Sequence, residues 1–330
     1  MLATSRALAQ PNLVNIAEKY VKLPPLRQPQ NPVKPKGSRI LHPTQSDCQS
    51  LPHPDLNDAL QEIRATVGDF SPFACLILGS GMGALANEIQ SSKVVPYREI
   101  PGFPLSHVAG HAGKCVFGYL GGVSVFALAG RAHLYEGWEP QHSCFPLRCA
   151  AAMGATSLIV SNASGGIHPR FRSGQVVAID DHIDWMQRSP FCSRHHRETT
   201  RPLGLHDRHD ALYDARWLDL ATQEALQLGF SLHRGTYLAT LGPTYETRAE
   251  YRMFQKWGAD MVGMSTVPEI VLAKHLQMRS LAFSIVTNVA KPDSPTKTDH
   301  AEVLDWSQQA QQQLVPLIEK LLPRMQQSPL

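Results

Sequence analysis

The sequence has no apolar run approaching the ~18 residues that would span a bilayer, so nothing in it reads as a membrane helix. It has no paired cysteines either. The six cysteines, at 48, 75, 115, 144, 149 and 192, form no Cys-x-x-Cys, which removes the usual signatures of a zinc site or a redox dithiol. Several lie in apolar stretches, where a free thiol acts as a small hydrophobe, and that usage fits a reducing compartment. Net charge is also scarce. The 31 basic and 28 acidic residues leave +3, too little and too dispersed to imply a nucleic-acid or membrane-surface partner. Met1 to Tyr20 has Arg6 and several alanines but no continuous apolar core, and it carries Glu18; it does not match a secretory signal. The expected location is the cytoplasm. No internal repeat is visible.

What is present falls into two parts. Residues 1–54 hold nine of the 25 prolines, and from Pro24 to Pro54 the chain is rich in Gln, Lys and Ser, the composition of an extended arm with little to bury. Residues 55–330 read as one domain. Asp55 is a plausible N-cap for a helix with Leu56, Ala59, Leu60, Ile63 and Val67 at helical spacing and Gly68 as its stop. Strands and helices then alternate. Strand-like runs occur at 74–78, 114–120, 123–129, 157–160, 176–179, 236–241, 260–263 and 281–286. Gly121-Gly122 is a two-residue hairpin signal. Helices are expected at 84–89, 146–153, 215–228, 246–257, 267–277 and 301–322, the last bending at Pro316. Residues 182–210, with five histidines and five arginines, read as a long polar excursion. The alternation implies an α/β fold with a buried mixed sheet, its chemistry gathered where strands give way to loops.

Several such boundaries carry reactive side chains. Directly after the apolar run 123–129 comes Gly130-Arg131-Ala132-His133-Leu134-Tyr135-Glu136-Gly137. If extended geometry continues, Arg131, His133 and Tyr135 share one face; Glu136 could orient His133, although on a regular strand it would point away. A planar guanidinium fork, a tunable imidazole and a hydroxyl on an apolar ring suit an anion beside a polar ring. Gly79-Ser80-Gly81-Met82-Gly83-Ala84 follows a strand and opens a helix, so its amides could cradle an anion. It also fits the loose dinucleotide fingerprint, with Glu99 at a tolerable distance for a ribose contact, which gives an NAD-dependent oxidoreductase as one alternative. Further loops are expected at Ser106 to Gly113, Ser161 to Gly166, Gly242 to Thr247 and Gly263 to Glu269; in the last, Ser265 or Thr266 could simply cap a helix.

In combination, Leu78–Gly83, His111-Ala112-Gly113, Gly130–Gly137, Asn162–Gly166, Gly242–Thr247, Gly263–Glu269 and Thr287-Asn288 make the chain resemble the trimeric class of purine nucleoside phosphorylases over about residues 56–325. The resemblance implies a single α/β domain with a central mixed, partly barrel-like sheet flanked by helices. It implies a phosphate site made by Ser80, His111, Arg131, His133, the Ala163 amide and Ser265, and a nucleoside site made by Tyr135, Tyr245, Glu246, Met264, Asn288 and His300. Asn288, Glu246 and His133 would carry catalysis. It further implies a homotrimer with no metal and no organic cofactor, inorganic phosphate being a co-substrate.

Two segments depart from the family's pattern. Where a phenylalanine from the adjacent subunit would cover the pentose, Asp207-Arg208 is followed by His209, and the stretch Val289 to Asp299 after Asn288 differs from the commoner lids. A methylthioadenosine phosphorylase is built on the same scaffold and is the nearest alternative; it would want a carboxylate where Asn288 stands. A nucleoside-binding protein that has lost catalysis is another, opposed by the intact Arg131, His133, Glu246 and Asn288 set.

Overall fold

Asp55 begins the first element as its position predicts: its side chain accepts from the Asn57 amide at 2.8 Å and caps α1 (Leu56–Val67), which buries Ala59, Ile63 and Val67 on one face. The computed structural model describes residues 55–191, 211–289 and 300–328, without the side chains of 300–302. The proline-rich arm (1–54) and residues 192–210 of the polar excursion lie outside the described residues.

After α1 come β1 (Ala74–Leu78), α2 (Gly83–Asn87), β2 (Gln90–Pro96), β3 (Lys114–Leu120), β4 (Val123–Ala129), α3 (Pro140–Ser143), α4 (Phe145–Ala152), β5 (Ser157–Gly166) and β6 (Gln175–Asp184). The chain continues with α5 (Ala215–Gln227), β7 (His233–Ala239), α6 (Arg248–Lys256), β8 (Met261–Gly263), α7 (Val267–His275), β9 (Arg279–Val289) and α8 (His300–Gln327). Leu120 faces Val123 across the antiparallel β3–β4 pair, so Gly121-Gly122 is the expected two-residue turn.

Among the described residues, nine strands form one sheet in the order β2-β3-β4-β1-β5-β8-β7-β6-β9, and β5 also pairs with β9. That second pairing closes β5, β8, β7, β6 and β9 into a small barrel, with β1 to β4 as an open wing. The expected single α/β unit with a mixed, partly barrel-like sheet is therefore what the chain forms. Strand β1 runs parallel to both β4 and β5, and β5 runs parallel to β9. Their carboxyl ends share one edge, which gathers the segments that follow Leu78, Ala129, Asn162 and Thr287.

Three differences from the sequence reading have physical causes. Ser161–Gly166, expected as a loop, continues β5, because its parallel register with β9 runs on to Gly166 opposite Val289 after a shift between Ser164 and Gly165. Strand β2 was not expected: Gln90 to Lys93 are exposed on an edge strand whose pairing comes from the backbone of β3 rather than from apolar burial. Helix α8 runs past Pro316 and Pro323 to Gln327. Leu314, Leu317, Ile318, Leu321, Leu322 and Met325 are all buried along it, and this packed face outweighs the two lost amide donors.

Candidate active site

Two glycines after β1 show what the loop 79–84 is built for. A Cβ at Gly79 would stand 2.5 Å from the Ser161 carbonyl, and one at Gly81, whose φ is 78°, would stand 2.3 Å from Ser307 Cβ on α8. The loop is thus pressed between β5 and α8. Three of its six amides are spent inside the protein: Gly79 donates to Ser161 Oγ, Met82 to the Gly79 carbonyl, and Ala84 to Gln311 Oε1 at 3.0 Å. The Gln311 amide group also donates to the Gly81 carbonyl. The amides of Ser80, Gly81 and Gly83 have no partner among the described residues, so the loop keeps half of its amides, with the Ser80 side chain, for an anion. Glu99, the ribose partner of the oxidoreductase alternative, sits in a 3-10 turn beyond β2, half-exposed and 3.8 Å from Arg98.

Ser80 Oγ lies 3.3 Å from Nε2 of His111, and Nδ1 of His111 lies 2.7 Å from the Arg131 carbonyl oxygen. Two Arg131 groups meet Nδ1, the carbonyl at 2.7 Å and the amide N–H at 3.2 Å; the shorter contact, to a group that only accepts, assigns the hydrogen to Nδ1, and Nε2 then accepts from the Ser80 hydroxyl. Burial, followed by the neighbouring His133 and Arg131, pushes His111 down to about 4; the ring is neutral at physiological pH. His111 stacks on His133 (5.2 Å, 17°), and His133 stacks on Tyr135 (4.8 Å, 14°). His111 stands behind Ser80 rather than in the wall of the cleft.

The chain leaves extended geometry earlier than the sequence suggests. Strand β4 stops at Ala129, and Leu134–Glu136 is one 3-10 turn after an extended His133. Arg131, His133 and Tyr135 do line the same cleft, but through this turn and not by strand alternation. The turn also swings Glu136 back. Its carboxylate accepts from the His133 amide at 2.8 Å, the His107 amide at 2.9 Å and Ser106 Oγ at 3.1 Å, and lies 3.4 Å from His133 Nδ1. Burial alone would raise its pKa, but the hydrogen bonds from His133 and His107 prevail and hold it below the ordinary carboxylate range. Glu136 thus stands where it can orient His133, as the sequence allowed, because the turn replaces the strand on which it would have pointed away.

Arg131 is 6% exposed. Its Nη1 donates to Glu269 Oε1 at 3.1 Å and to Thr266 Oγ1 at 3.3 Å, and its Nη2 donates to the Ser161 carbonyl. Three of its five donors are thus spent on protein, and the others remain for a ligand. Thr266, fully buried with φ 74°, holds a backbone conformation that is strained for a β-branched residue. Its hydroxyl also accepts from Asn162 Nδ2 at 2.8 Å and lies 3.3 Å from Ser265 Oγ. Neither hydroxyl caps α7: the N-cap position is Thr266, with no side-chain cap bond.

The opposite end of the cleft holds Glu246, Tyr245, Tyr251 and Asn288. Thr240 Oγ1 lies 3.3 Å from Glu246 Oε1, and the Tyr251 hydroxyl faces the same carboxylate. Burial raises Glu246 above its ordinary value against the pull of these donors. Asn288, near the end of β9, accepts from Thr287 Oγ1 at 3.3 Å, and its Nδ2 lies 3.5 Å from where a Cβ on Gly165 would stand. Tyr245 is half-exposed.

The cleft encloses about 230 Å³. Ser80, Arg131, His133, Tyr135, Ala163, Tyr245, Glu246, Met264, Ser265 and Asn288 all line it. The His300 side chain, His209 and residues 290–299 lie outside the described residues, although α8 reaches the cleft through Val303. The sequence reading missed Thr240, Tyr251 and Val303, and it quoted Thr266, Glu269 and Thr287 within motifs without giving them a part in the site. Tyr251 had a faint signal, one turn into the helix that Thr247 caps just after Glu246; Thr240 and Val303 had none. Among the described residues no His, Cys, Asp and Glu side chains group as a metal site, and no helix is long and apolar enough to cross a membrane.

A family model described as the phosphorylase superfamily matches residues 74–323. The chain belongs to that superfamily. Purine nucleoside phosphorylase 1 of Bacillus subtilis (strain 168) is 40% identical over 252 residues, 76% of this chain and 92% of that protein. Purine nucleoside phosphorylase of Mus musculus is 36% identical over 267 residues, 77% and 89% of the two chains. The crystal structure of Schistosoma mansoni purine nucleoside phosphorylase in complex with adenosine superposes with a TM-score of 0.73 at 33% identity, covering 82% of this chain and 96% of that one. The family resemblance read from the motifs is borne out.

Proposed function

We propose that the chain catalyses the reversible phosphorolysis of 6-oxopurine ribo- and deoxyribonucleosides, giving free purine and pentose 1-phosphate. The observation that supports this reading is a single cleft lined both by Ser80, Arg131, His133 and Ser265 and by Tyr245, Glu246 and Asn288, groups suited to an anion and to a polar ring. At the first end, Arg131, His133, Ser265 and the Ala163 amide hold phosphate. Ser80, its own hydrogen given to His111, accepts from the P–OH of hydrogen phosphate. Tyr135 and Met264 line the pentose, with His300 at its 5′ hydroxyl. Tyr245 packs on the base, Glu246 accepts from N1–H and any 2-amino group, and Asn288 meets O6 and N7.

A phosphate oxygen bonds to the anomeric carbon as the C1′–N9 bond breaks, and the bonding pair leaves on the purine, which takes a proton from water. Positive charge grows on the sugar beside bound phosphate, and negative charge grows on the purine beside Asn288. A donor placed for charge that develops only in the transition state contributes ~3 kcal/mol. No metal or organic cofactor enters the scheme. The protein works as a homotrimer in the cytoplasm.

The test is purine release from inosine, guanosine, xanthosine, adenosine and methylthioadenosine, each with and without phosphate. Preference for methylthioadenosine would select the nearest alternative.

A further inference from the structure

Resting on the phosphate reading of the Arg131 end, a further assignment concerns what holds Ser80. Leu304, Ser307 and Gln311 follow one another on α8 at the three- and four-residue spacing of a single helical stripe. That stripe closes on the loop 79–84: a Cβ at Gly81 would stand 2.3 Å from Ser307 Cβ and 3.4 Å from the Leu304 carbonyl. Gln311, 7% exposed, grips the loop with both ends of its carboxamide. Its Oε1 accepts from the Ala84 amide at 3.0 Å, and its Nε2 donates to the Gly81 carbonyl. A backbone amide only donates and a carbonyl only accepts, so these two partners settle which end of the side chain is the oxygen. Gly79 is tied on the other side to Ser161 Oγ on β5. Ser80 therefore sits between two pinned residues, with its side chain on the wall of the cleft.

We propose that Gln311 is a positioning residue for phosphate: its carboxamide clamps the loop to α8 and holds Ser80, with the free amides of Ser80 and Gly81, in place for the anion. The clamp needs an acceptor and a donor on one side chain of that reach. An aliphatic side chain there leaves the Ala84 amide and the Gly81 carbonyl unpaired beside the helix, and the loop shifts to satisfy them. Ser307 shares the face but takes no part in the clamp, since its Oγ has no hydrogen-bond partner among the described residues. Tyr245, Glu246 and Asn288 come from other segments of the chain, so a loosened loop bears on phosphate and not on the purine.

The experiment measures the phosphate KM at saturating inosine and the inosine KM at saturating phosphate, with thermal melts, on the full chain. The proteins are the native one, Gln311→Met, Gln311→Asn, Ser307→Ala, Ser80→Ala and the double variant Ser80→Ala/Gln311→Met. Gln311→Met keeps the length and the helix preference and removes both hydrogen bonds; it raises the phosphate KM about tenfold and leaves the inosine KM within about twofold. In the Ser80→Ala background the same change raises the phosphate KM only about threefold or less, because residues that act through one contact do not add. Gln311→Asn, one methylene shorter, moves the phosphate KM the same way, and it decides the matter if Gln311→Met does not fold. Ser307→Ala stays within about twofold of the native protein in both constants. A lower melting temperature with both KM values unchanged, an equal rise in both, or an effect that adds in full to Ser80→Ala overturns the proposal. Native protein that cleaves no inosine, or cleaves it equally well without phosphate, overturns the phosphate reading itself, and the proposal with it.

Discussion

Arg131 and Glu246 carry opposite charges at the two ends of one cleft, and their surroundings differ. Arg131 is buried against a carboxylate, a hydroxyl and a backbone carbonyl, and the hydroxyl belongs to Thr266, which also ties in Asn162. Glu246 has the Thr240 hydroxyl 3.3 Å from Oε1, and Tyr251 and a half-exposed Tyr245 line the cleft with it. The Arg131 end, proposed to hold the anion, is fixed by the core before any ligand arrives, whereas the Glu246 end, proposed to hold the purine, is more open and its carboxylate keeps acceptor capacity to spare. Preorganised donors of the first kind avoid reorganisation during reaction, and a wall of the second kind can be retuned by one side chain. Damage to the anion end should therefore cost stability and rate together. Damage to the purine end should change preference and leave stability alone.

Arg131→Ala is expected to show the largest effect. It removes a charge-assisted contact to phosphate and strands Glu269 in the core, so kcat/KM for phosphate should fall by two to three decades and the unfolding free energy by about 3–5 kcal/mol. The double variant Arg131→Met/Glu269→Leu should recover much of the stability in thermal melts and none of the activity. An Arg131→Ala melt equal to the native one would erase the contrast between the two ends.

Asn288→Asp comes next, and it acts at the purine end. An amide donates to a 6-oxo group, whereas an ionised carboxylate only accepts. The inosine-to-adenosine ratio of kcat/KM should drop by one to two decades, since a mismatched buried polar group costs about 1–3 kcal/mol. The melt should be nearly unchanged. A constant ratio would mean that Asn288 does not read position 6.

Protonation sharpens the same comparison at smaller scale. His111 is pushed down to about 4 by burial and by its His133 and Arg131 neighbours. Between that value and the unfolded value near 6.5 the unfolded chain binds the extra proton, so stability falls as pH drops through this window. His111→Asn should flatten the pH dependence of the melting temperature between pH 6.5 and 4. Equal slopes for the two proteins would show that His111 is not the buried neutral group inferred here. The smallest effect is expected from deleting residues 1–50: the cleft is lined by residues from Gly79 onward, and kcat/KM for inosine should stay within about twofold.

Local patterns made much of this legible. The Asp55 cap, the Gly121-Gly122 turn and the alternation of strands with helices are written in near neighbours, and each formed where expected. The motif residues also converged, because each follows a strand whose end lies on the shared edge. Legibility failed where partners are distant. Glu269 binds Arg131 across 138 positions, Gln311 reaches Gly81 across 230, and β2 owes its existence to the backbone of β3. Glu136 reaches His133 for a local reason: one 3-10 turn stands where a regular strand would have pointed it away.

The account stands on the two ends of the cleft acting on one substrate pair, and phosphorus NMR of the full chain with inosine tests this most directly. In phosphate buffer it predicts a pentose 1-phosphate resonance growing in equal amount with the hypoxanthine released, and no cleavage when phosphate is left out. Hypoxanthine appearing at the same rate without phosphate, with free ribose as the other product, would contradict it.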